Sequence, residues 1–546
     1  MNRRDFLNKA GASAGLFLLP SGLLRGNTVS PDFIGQNEGM DLVLLKRMAD
    51  FVLQLAQSGG ASYADIRFGK TQREQIVGIN RLIAPVKYTE SFGVGIRVVV
   101  DGSVSFISKA NVTTEDELAP LIVQATNTAR INSKLRKKQV RMAPQEALGQ
   151  VAWKTPVTKN VFEIPVAEKQ ELLMAANDAA LSKGVNHVES MLYAQKQYKY
   201  FASTDGSYIH QEIHRFWPTF CVASGDLAGG DFQTRSALSS PVGRGYEYLQ
   251  KTPADKVNGI VTRYKNGYDL LEDITLAAEQ VKQKVTAKSV ESGQYDLVMD
   301  PSALWSIVHH TIGNVLDLDR HADENAAEDG TAYLDLEKWK AGDKAFGSRF
   351  VSFLADRTQS GTLGATGYDD EGIKSRQWTL VRDGQLETFL SDRRKNQMID
   401  ENRSHGCGAA EDWEYPVQLR MPNISLAPGK APLTVDQLIG DVKKGIYVVG
   451  EGSISLDQQC LNFQSGGQLF YEIEDGQIKG MLKDTSFQSN TRDFWNSCSQ
   501  VCDRRDFRFG GTIADRKGKP AQSHAVSHGC ATSRFNGVQV FNTRTF

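Results

Sequence analysis

Two stretches of the chain carry residue types from which a metal site is built. His524-Ala-Val-Ser-His528-Gly-Cys530 places two imidazoles and a thiol within seven residues, and imidazole nitrogen and thiolate sulfur are preferred zinc ligands. Upstream, His309 and His310 are followed by Asp319, His321 and Asp323, a second set of nitrogen and oxygen donors. A zinc hydrolase also needs a base to take the proton of the metal-bound water, and no Glu stands at a motif distance from His524 or His528. Exposed polar residues on an edge strand explain that stretch equally well.

Other chemistries find less support. There is no G-x-S-x-G elbow, and Gly452-Ser453-Ile454 reads as a turn rather than a nucleophile. No G-x-G-x-x-G or Walker pattern opens a helix after a strand, which excludes nucleotide chemistry. With 63 Lys+Arg against 64 Asp+Glu the 546-residue chain has a net charge of -1, so it has no basic field for nucleic acid. The six cysteines, Cys221, Cys407, Cys460, Cys498, Cys502 and Cys530, are too sparse for a disulfide scaffold. Cys498 and Cys502 form a CxxxC pair that either closes a small disulfide or is two unrelated thiols.

The elements that must position these residues follow from periodicity. Asp41 to Gln57 has Leu44, Leu45, Met48, Phe51, Val52 and Leu55 at helical spacing, stopped by Gly59-Gly60. Tyr63 to Phe68 and Gly93 to Val100 alternate as strands, the second turning at Asp101-Gly102. Thr114-x-x-Glu117 is a capping box that opens a helix toward Ile131. Leu135 to Val157 reads as a linker, followed by helices near Val166–Lys183 and Ile274–Val285. Tyr295 to Met299 is a strand, Asp300 an N-cap and Pro301 the first helical residue, so His309 and His310 fall on a helix. Leu380 to Leu386 and Glu472 to Ile478 each contain an Asp-Gly turn of the type I′ kind. The fold class expected is α+β: an N-terminal α+β region over 40–135, a central region over 150–290, and a large, antiparallel, β-rich C-terminal domain over 293–546.

Residues 1–30 read as an address. Arg3-Arg4-Asp5-Phe6-Leu7 precedes an apolar run containing Gly and Pro, the pattern of a twin-arginine export signal. A periplasmic location is expected, with the cytoplasm as the alternative. No later run reaches about 18 apolar residues, so no membrane span is expected in the mature chain.

Taken together, these residues resemble the TldD/PmbA family, the modulators of DNA gyrase regarded as zinc metallopeptidases. The resemblance is carried by Tyr63-Ala-Asp-Ile-Arg-Phe68, Phe92 to Ser103, Asp369-Asp-Glu-Gly372, Asp383-Gly384 with Leu390-Ser-Asp-Arg393, Arg420-Met-Pro-Asn423 with Pro428-Gly429, Lys444-Gly-Ile-Tyr447, and Ile473 to Ile478. It implies a hetero- or homodimer enclosing a cavity in which unfolded or leader peptides are cut.

Active members carry His-Glu-x-x-Gly-His, then Gly-x-Leu-x-x-Asp, and a Cys near the C-terminus. The first His, the second His and the Cys bind zinc, and the Glu is the base. Here the frame residues Gly313, Leu316 and Asp319 stand at their places. His309 keeps the first ligand, but His310 replaces the Glu, Asn314 the second His, and Lys517 the Cys. The degenerate motif implies a non-catalytic subunit without zinc of its own, paired with a related chain that bears the intact motif. The other reading is an active metallopeptidase whose metal site is rearranged among His309, His310, His524, His528 and Cys530. If the His524 segment is a strand, as the family pattern implies, His524, His528 and Cys530 share one face.

Overall fold

The structure is a computed structural model that describes residues 40–135, 139–264, 266–322 and 329–545. Arg3, Arg4 and Asp323 lie outside the described residues. In chain order the helices used below are α1 (Leu42–Ser58), α2 (Glu115–Ser133), α3 (Val166–Ser182), α4 (Leu270–Thr286) and α5 (Pro301–Val308). The strands are β1 (Tyr63–Ile79), β2 (Lys87–Val100), β3 (Ser103–Ala110), β4 (Gly149–Lys154), β5 (His187–Ser203), β6 (Ser207–Asp226), β7 (Gly293–Met299), β8 (Phe353–Asp356) and β9 (Gln377–Arg382). They continue with β10 (Gln385–Leu386), β11 (Ile424–Leu426), β12 (Lys444–Leu456), β13 (Asn462–Glu474), β14 (Gln477–Lys483), β15 (Thr485–Asn490), β16 (Arg508–Lys517), β17 (Gln522–Cys530) and β18 (Ser533–Asn542). Among the described residues no helix is long and apolar enough to cross a membrane.

The N-terminal and central regions build one sheet in the order β3-β2-β1-β5-β6-β4. Its two faces differ because residues alternate sides along a strand. One face carries Ala64, Ile66, Phe68 and Ile76 of β1 with Leu192, Ala194, Tyr200 and Ala202 of β5, and α1 to α4 cover it with apolar side chains. Asp41 caps α1 by accepting the N–H groups of Val43 and Leu44. The opposite face carries Asp65, Arg67 and Arg73 of β1, Arg97 of β2, Lys199 of β5 and Arg215 of β6, all buried or nearly so against the C-terminal region. Trp413 of that region lies on Gly93 and Gly95, where a Cβ would overlap it. Polar contacts do the rest of the joining. Arg97 pairs with Glu371 at 2.7 Å, Lys199 with Asp370 at 2.8 Å, and Arg67 Nη2 donates to the Tyr415 carbonyl at 2.8 Å.

The stretch expected as a linker contains β4, which adds to β6 in parallel. Val151 and Trp153 show the alternation, but among Lys, Arg, Gln and Pro a six-residue strand has too weak a signal to stand out.

The C-terminal region is two sheets around one apolar core. The first runs β14-β13-β12-β7-β18-β15 and the second β10-β9-β8-β11-β17-β16. Most pairs are antiparallel, but β7 joins β12, and β11 joins β17, in parallel. Both expected Asp-Gly turns are present, with φ of 47° and 80° at Asp383 and Gly384 and 49° and 74° at Asp475 and Gly476. Asp300 caps α5 through the Ser302 N–H, with Pro301 in the first turn, as the residue types require. All eight residues of α5 are buried, and the helix packs against β12 of one sheet and β16 and β17 of the other. Cys498 and Cys502 are both free and buried thiols. Cys498 opens a short strand, and four residues of extended chain span about 13 Å, beyond the reach of a disulfide.

Candidate functional site

The helix α5 does not stop at Val308 but widens into a π turn over His309–Gly313, in which the Asn314 N–H reaches the His309 carbonyl at 3.1 Å. A single π turn re-aims side chains without ending a helix, and such turns recur at functional sites. Gly313 lets the Met421 side chain pack directly against the turn, where a Cβ would displace it. Thr311 accepts a hydrogen bond from the Trp495 indole at 3.0 Å, and Leu316 is fully buried. Thus Gly313, Leu316 and the buried Asp319 are held by packing.

This turn and the C-terminal half of β16 wall a cavity of about 490 Å³. His309, His310, Asn314 and Lys517 all line it, together with His528 and Asp515. His524 and Cys530 do not. They do share a face of β17 with His528, but His524 and His528 are about 13 Å apart along the strand, too far to meet at one ion. His524 instead borders a small polar space beside Arg215 and Arg357. Burial, and then Arg420, Arg357 and Arg215, hold its imidazole well below its usual range. Cys530 is buried, which pushes its thiol up. His321 turns away, with its Nε2 2.9 Å from the Val315 carbonyl.

The hydrogen-bond partners assign the protons. His528 Nδ1 lies 3.2 Å from the Ile424 carbonyl, an acceptor, so Nδ1 carries the proton. Its Nε2 then offers a lone pair to His309 Nδ1–H at 2.9 Å. His309 Nε2 faces the Asp515 carboxylate at 3.3 Å, and Asp515 is also held by Arg420 at 2.9 Å. Despite burial, the Arg420 charge and the His309 bond hold the Asp515 carboxyl far below the ordinary range. Neither nitrogen of His309 is left facing the cavity with a free lone pair. His310 Nδ1 meets the Asn314 amide at 3.3 Å, and burial with the neighbouring His309 holds this imidazole down at about 3, so it is neutral.

Lys517 occupies the end of β16. Its Nζ donates to Asp317 at 2.5 Å, to Asp319 at 2.9 Å and to the Leu419 carbonyl at 2.9 Å, which uses all three of its protons. The two carboxylates overcome burial and hold the ammonium above its usual range. In return, Lys517 draws Asp319 below the usual range against the effect of burial, whereas burial dominates at Asp317 and raises it.

These residues do not fit a zinc ion. At the four positions the chain offers an imidazole engaged at both nitrogens, a neutral imidazole, an amide and an ammonium. Among the described residues no group of three or more His, Cys, Asp and Glu side chains is arranged to hold a metal.

Asp515 and Glu451 also line the cavity, and no motif marks them, whereas Arg420, which holds Asp515, belongs to the Arg420-Met-Pro-Asn423 motif. For Glu451 a signal exists: Gly450-Glu451-Gly452 interrupts a strand pattern, and isolated glycines in strands mark bulges. β12 and β13 do slip register just after Glu451. Glu451 is exposed at the cavity wall, and the protein packed around its carboxyl pushes it up to about 7.

Three family models match the chain in order: PmbA/TldA metallopeptidase domain 1 over 64–129, the central domain over 159–286, and the C-terminal domain over 292–541. A metalloprotease of Methanocaldococcus jannaschii is 24% identical over 470 residues, 86% of this chain and 94% of that protein. One of Methanothermobacter thermautotrophicus is 25% identical over 481 residues, 88% of this chain and 96% of its own. Among solved structures, a Thermotoga maritima protein named as a modulator of a DNA gyrase superposes with a TM-score of 0.67 at 16% identity, over 91% of this chain and 100% of that one. TldE from Thermococcus kodakarensis gives 0.65 at 15% identity, over 90% and 99%. The three domain matches therefore place the chain in a metallopeptidase-like class. Within it, this chain belongs to the PmbA/TldD family.

Proposed function

We propose that this chain is a non-catalytic subunit of a PmbA/TldD-type peptidase assembly, which binds unfolded or leader peptide and pairs with a related chain bearing the intact His-Glu-x-x-Gly-His motif. The observation that carries this reading is the Lys517–Asp317–Asp319 cluster. An ammonium with three hydrogen bonds inside protein has no lone pair to give, and it places a positive charge where a metal would have to sit. The cavity around it remains open and polar, suited to holding a peptide rather than to activating water. On this reading the twin-arginine segment carries the folded chain to the periplasm, and fractionation of the native cells checks that location.

The test is metal content. The purified chain should hold far less than one zinc per molecule and cleave no unfolded peptide by itself. The triple variant His310→Glu, Asn314→His, Lys517→Cys should bind zinc, because the frame of Gly313, Leu316 and Asp319 is in place. Near-stoichiometric zinc in the natural chain, lost together with peptide cleavage in His528→Ala, would overturn this reading in favour of a site rebuilt on the His309–His528 contact.

A further inference from the structure

The cavity adjoins a second one of about 430 Å³, whose lining shares Trp305, Glu451 and Gly511 with it. Its chemistry is different. The second cavity is walled by a serine-rich segment over 236–241, by the glycines flanking Glu451, and by the indoles of Trp217 and Trp305. Among the described residues Glu451 is its one ionisable side chain. Several of the neutral polar groups around it are already occupied. Ser239 donates to the Pro218 carbonyl at 2.5 Å, Ser302 to Asp300 at 2.5 Å, and Gln468 to the Glu451 backbone carbonyl at 2.7 Å.

Three larger groups are among those left without a partner. No hydrogen bond or ion pair joins the Glu451 carboxylate to any described residue. The Nε1–H groups of Trp217 and Trp305 are buried and lack an acceptor. Trp305 is 7% exposed and is pinned by Gly510, where any Cβ would run into its ring. The Glu451 carboxylate is exposed and free to take a cation, and the indoles beside it offer apolar surface, so this set is complementary to something that joins a cation to an apolar stem. An aromatic face also attracts an organic cation.

Building on the peptide-binding reading above, we propose that this second cavity is a subsite for a lysine or arginine side chain of the bound peptide. The Glu451 carboxylate pairs with the ammonium or guanidinium, and the aliphatic stem lies along the indoles of Trp217 and Trp305. A side chain fits the position better than a chain terminus does, because the space lies beside the first cavity and has room for a long stem. The subsite makes this chain selective for basic peptides.

The test measures binding of three N-acetylated, fluorescein-labelled peptides of one otherwise neutral sequence, with a central lysine, norleucine or glutamate, to the full chain at pH 8. Norleucine keeps the stem and removes the charge, and acetylation removes the terminal ammonium. The lysine peptide should bind about tenfold more tightly than the norleucine peptide, the effect of one charge-assisted contact of roughly 1.4 kcal/mol, and the glutamate peptide weakest. In Glu451→Gln, a near-isosteric change, the lysine and norleucine peptides should become equal. Equal binding of all three to the natural chain would overturn the subsite and leave the peptide-binding reading standing. Binding of none would overturn both. The comparison of peptides on the natural chain needs no variant, so a folding defect in Glu451→Gln does not remove the test.

Discussion

Arg97, between the N-terminal sheet and the C-terminal region, and Lys517, in the cavity wall, are surrounded by the same charges: one cation between two carboxylates. Arg97 holds Asp65 of the adjacent strand at 2.5 Å and Glu371 of the other half of the chain at 2.7 Å. Lys517 holds Asp317 and Asp319, two residues apart in one turn. The difference lies in geometry. A guanidinium is a planar fork that can grip two partners from different directions, whereas an ammonium is a compact point charge with three donors. The first cluster therefore spans two structural units, and the second plugs a wall within one. The same charge count thus serves cohesion in one place and shapes the cavity in the other.

Replacing the cations sharpens that contrast. Arg97→Ala leaves Asp65 and Glu371 buried without a counter-ion, and breaking such a cluster from one side costs about 3–5 kcal/mol. The thermal midpoint should fall by several degrees, with the two halves of the molecule separating in their unfolding, and Arg97→Lys should restore only part of the loss. A midpoint that does not move would show that Trp413 on Gly93 and Gly95 joins the halves without the charges. The next effect is smaller. Lys517→Met should cost about 2–3 kcal/mol, because burial already raises Asp317 and lets that carboxyl take up a proton once the ammonium is gone. Adding Asp317→Asn should recover most of this. Should Lys517→Met be as damaging as Arg97→Ala, or should the second change bring nothing back, the wall cluster is structural cement like the first.

The parts of this molecule that a sequence discloses are those in which one local rule acts alone. The Asp300-Pro301 helix start, the Asp-Gly turns and the α1 stripe obey capping, turn and periodicity chemistry, and they lie where those rules put them. β1 shows the limit. Tyr63 to Phe68 alternates legibly, but the strand runs on to Ile79 through Gly69-Lys-Thr-Gln-Arg-Glu-Gln75. That stretch reads as polar loop because its outward face is buried against charges of a distant segment, Arg73 against Glu411 and Asp412 among them. No local pattern encodes a partner more than three hundred residues away. The site divides in the same way. The positions of His309, His310, Asn314 and Lys517 follow from the family resemblance, and all four line one cavity. The contacts that decide their chemistry, His309 with His528 and Asp515, and Lys517 with Asp317, depend on how β16 and β17 are laid against α5. The same-face set of His524, His528 and Cys530 is real as a strand pattern but is spread along β17, which spacing in a sequence does not convey.

The strand β18 lies in the interior of its sheet, between β7 and β15, though it is the last strand of the chain. Its partner β7 begins 240 residues earlier, at Gly293. During synthesis β7 therefore waits with one bare edge until Ser533–Asn542 has left the ribosome, and an unpaired edge is an invitation to mispair. Contacts this remote in sequence also slow folding. The N-terminal sheet, complete once Asp231–Ser236 has added to β6, can form while translation continues. The half that carries the cavity cannot complete its sheet until β18 has been made. A chain cut before Ser533 would hold every residue that lines the cavity and lack the strand that pairs with β7.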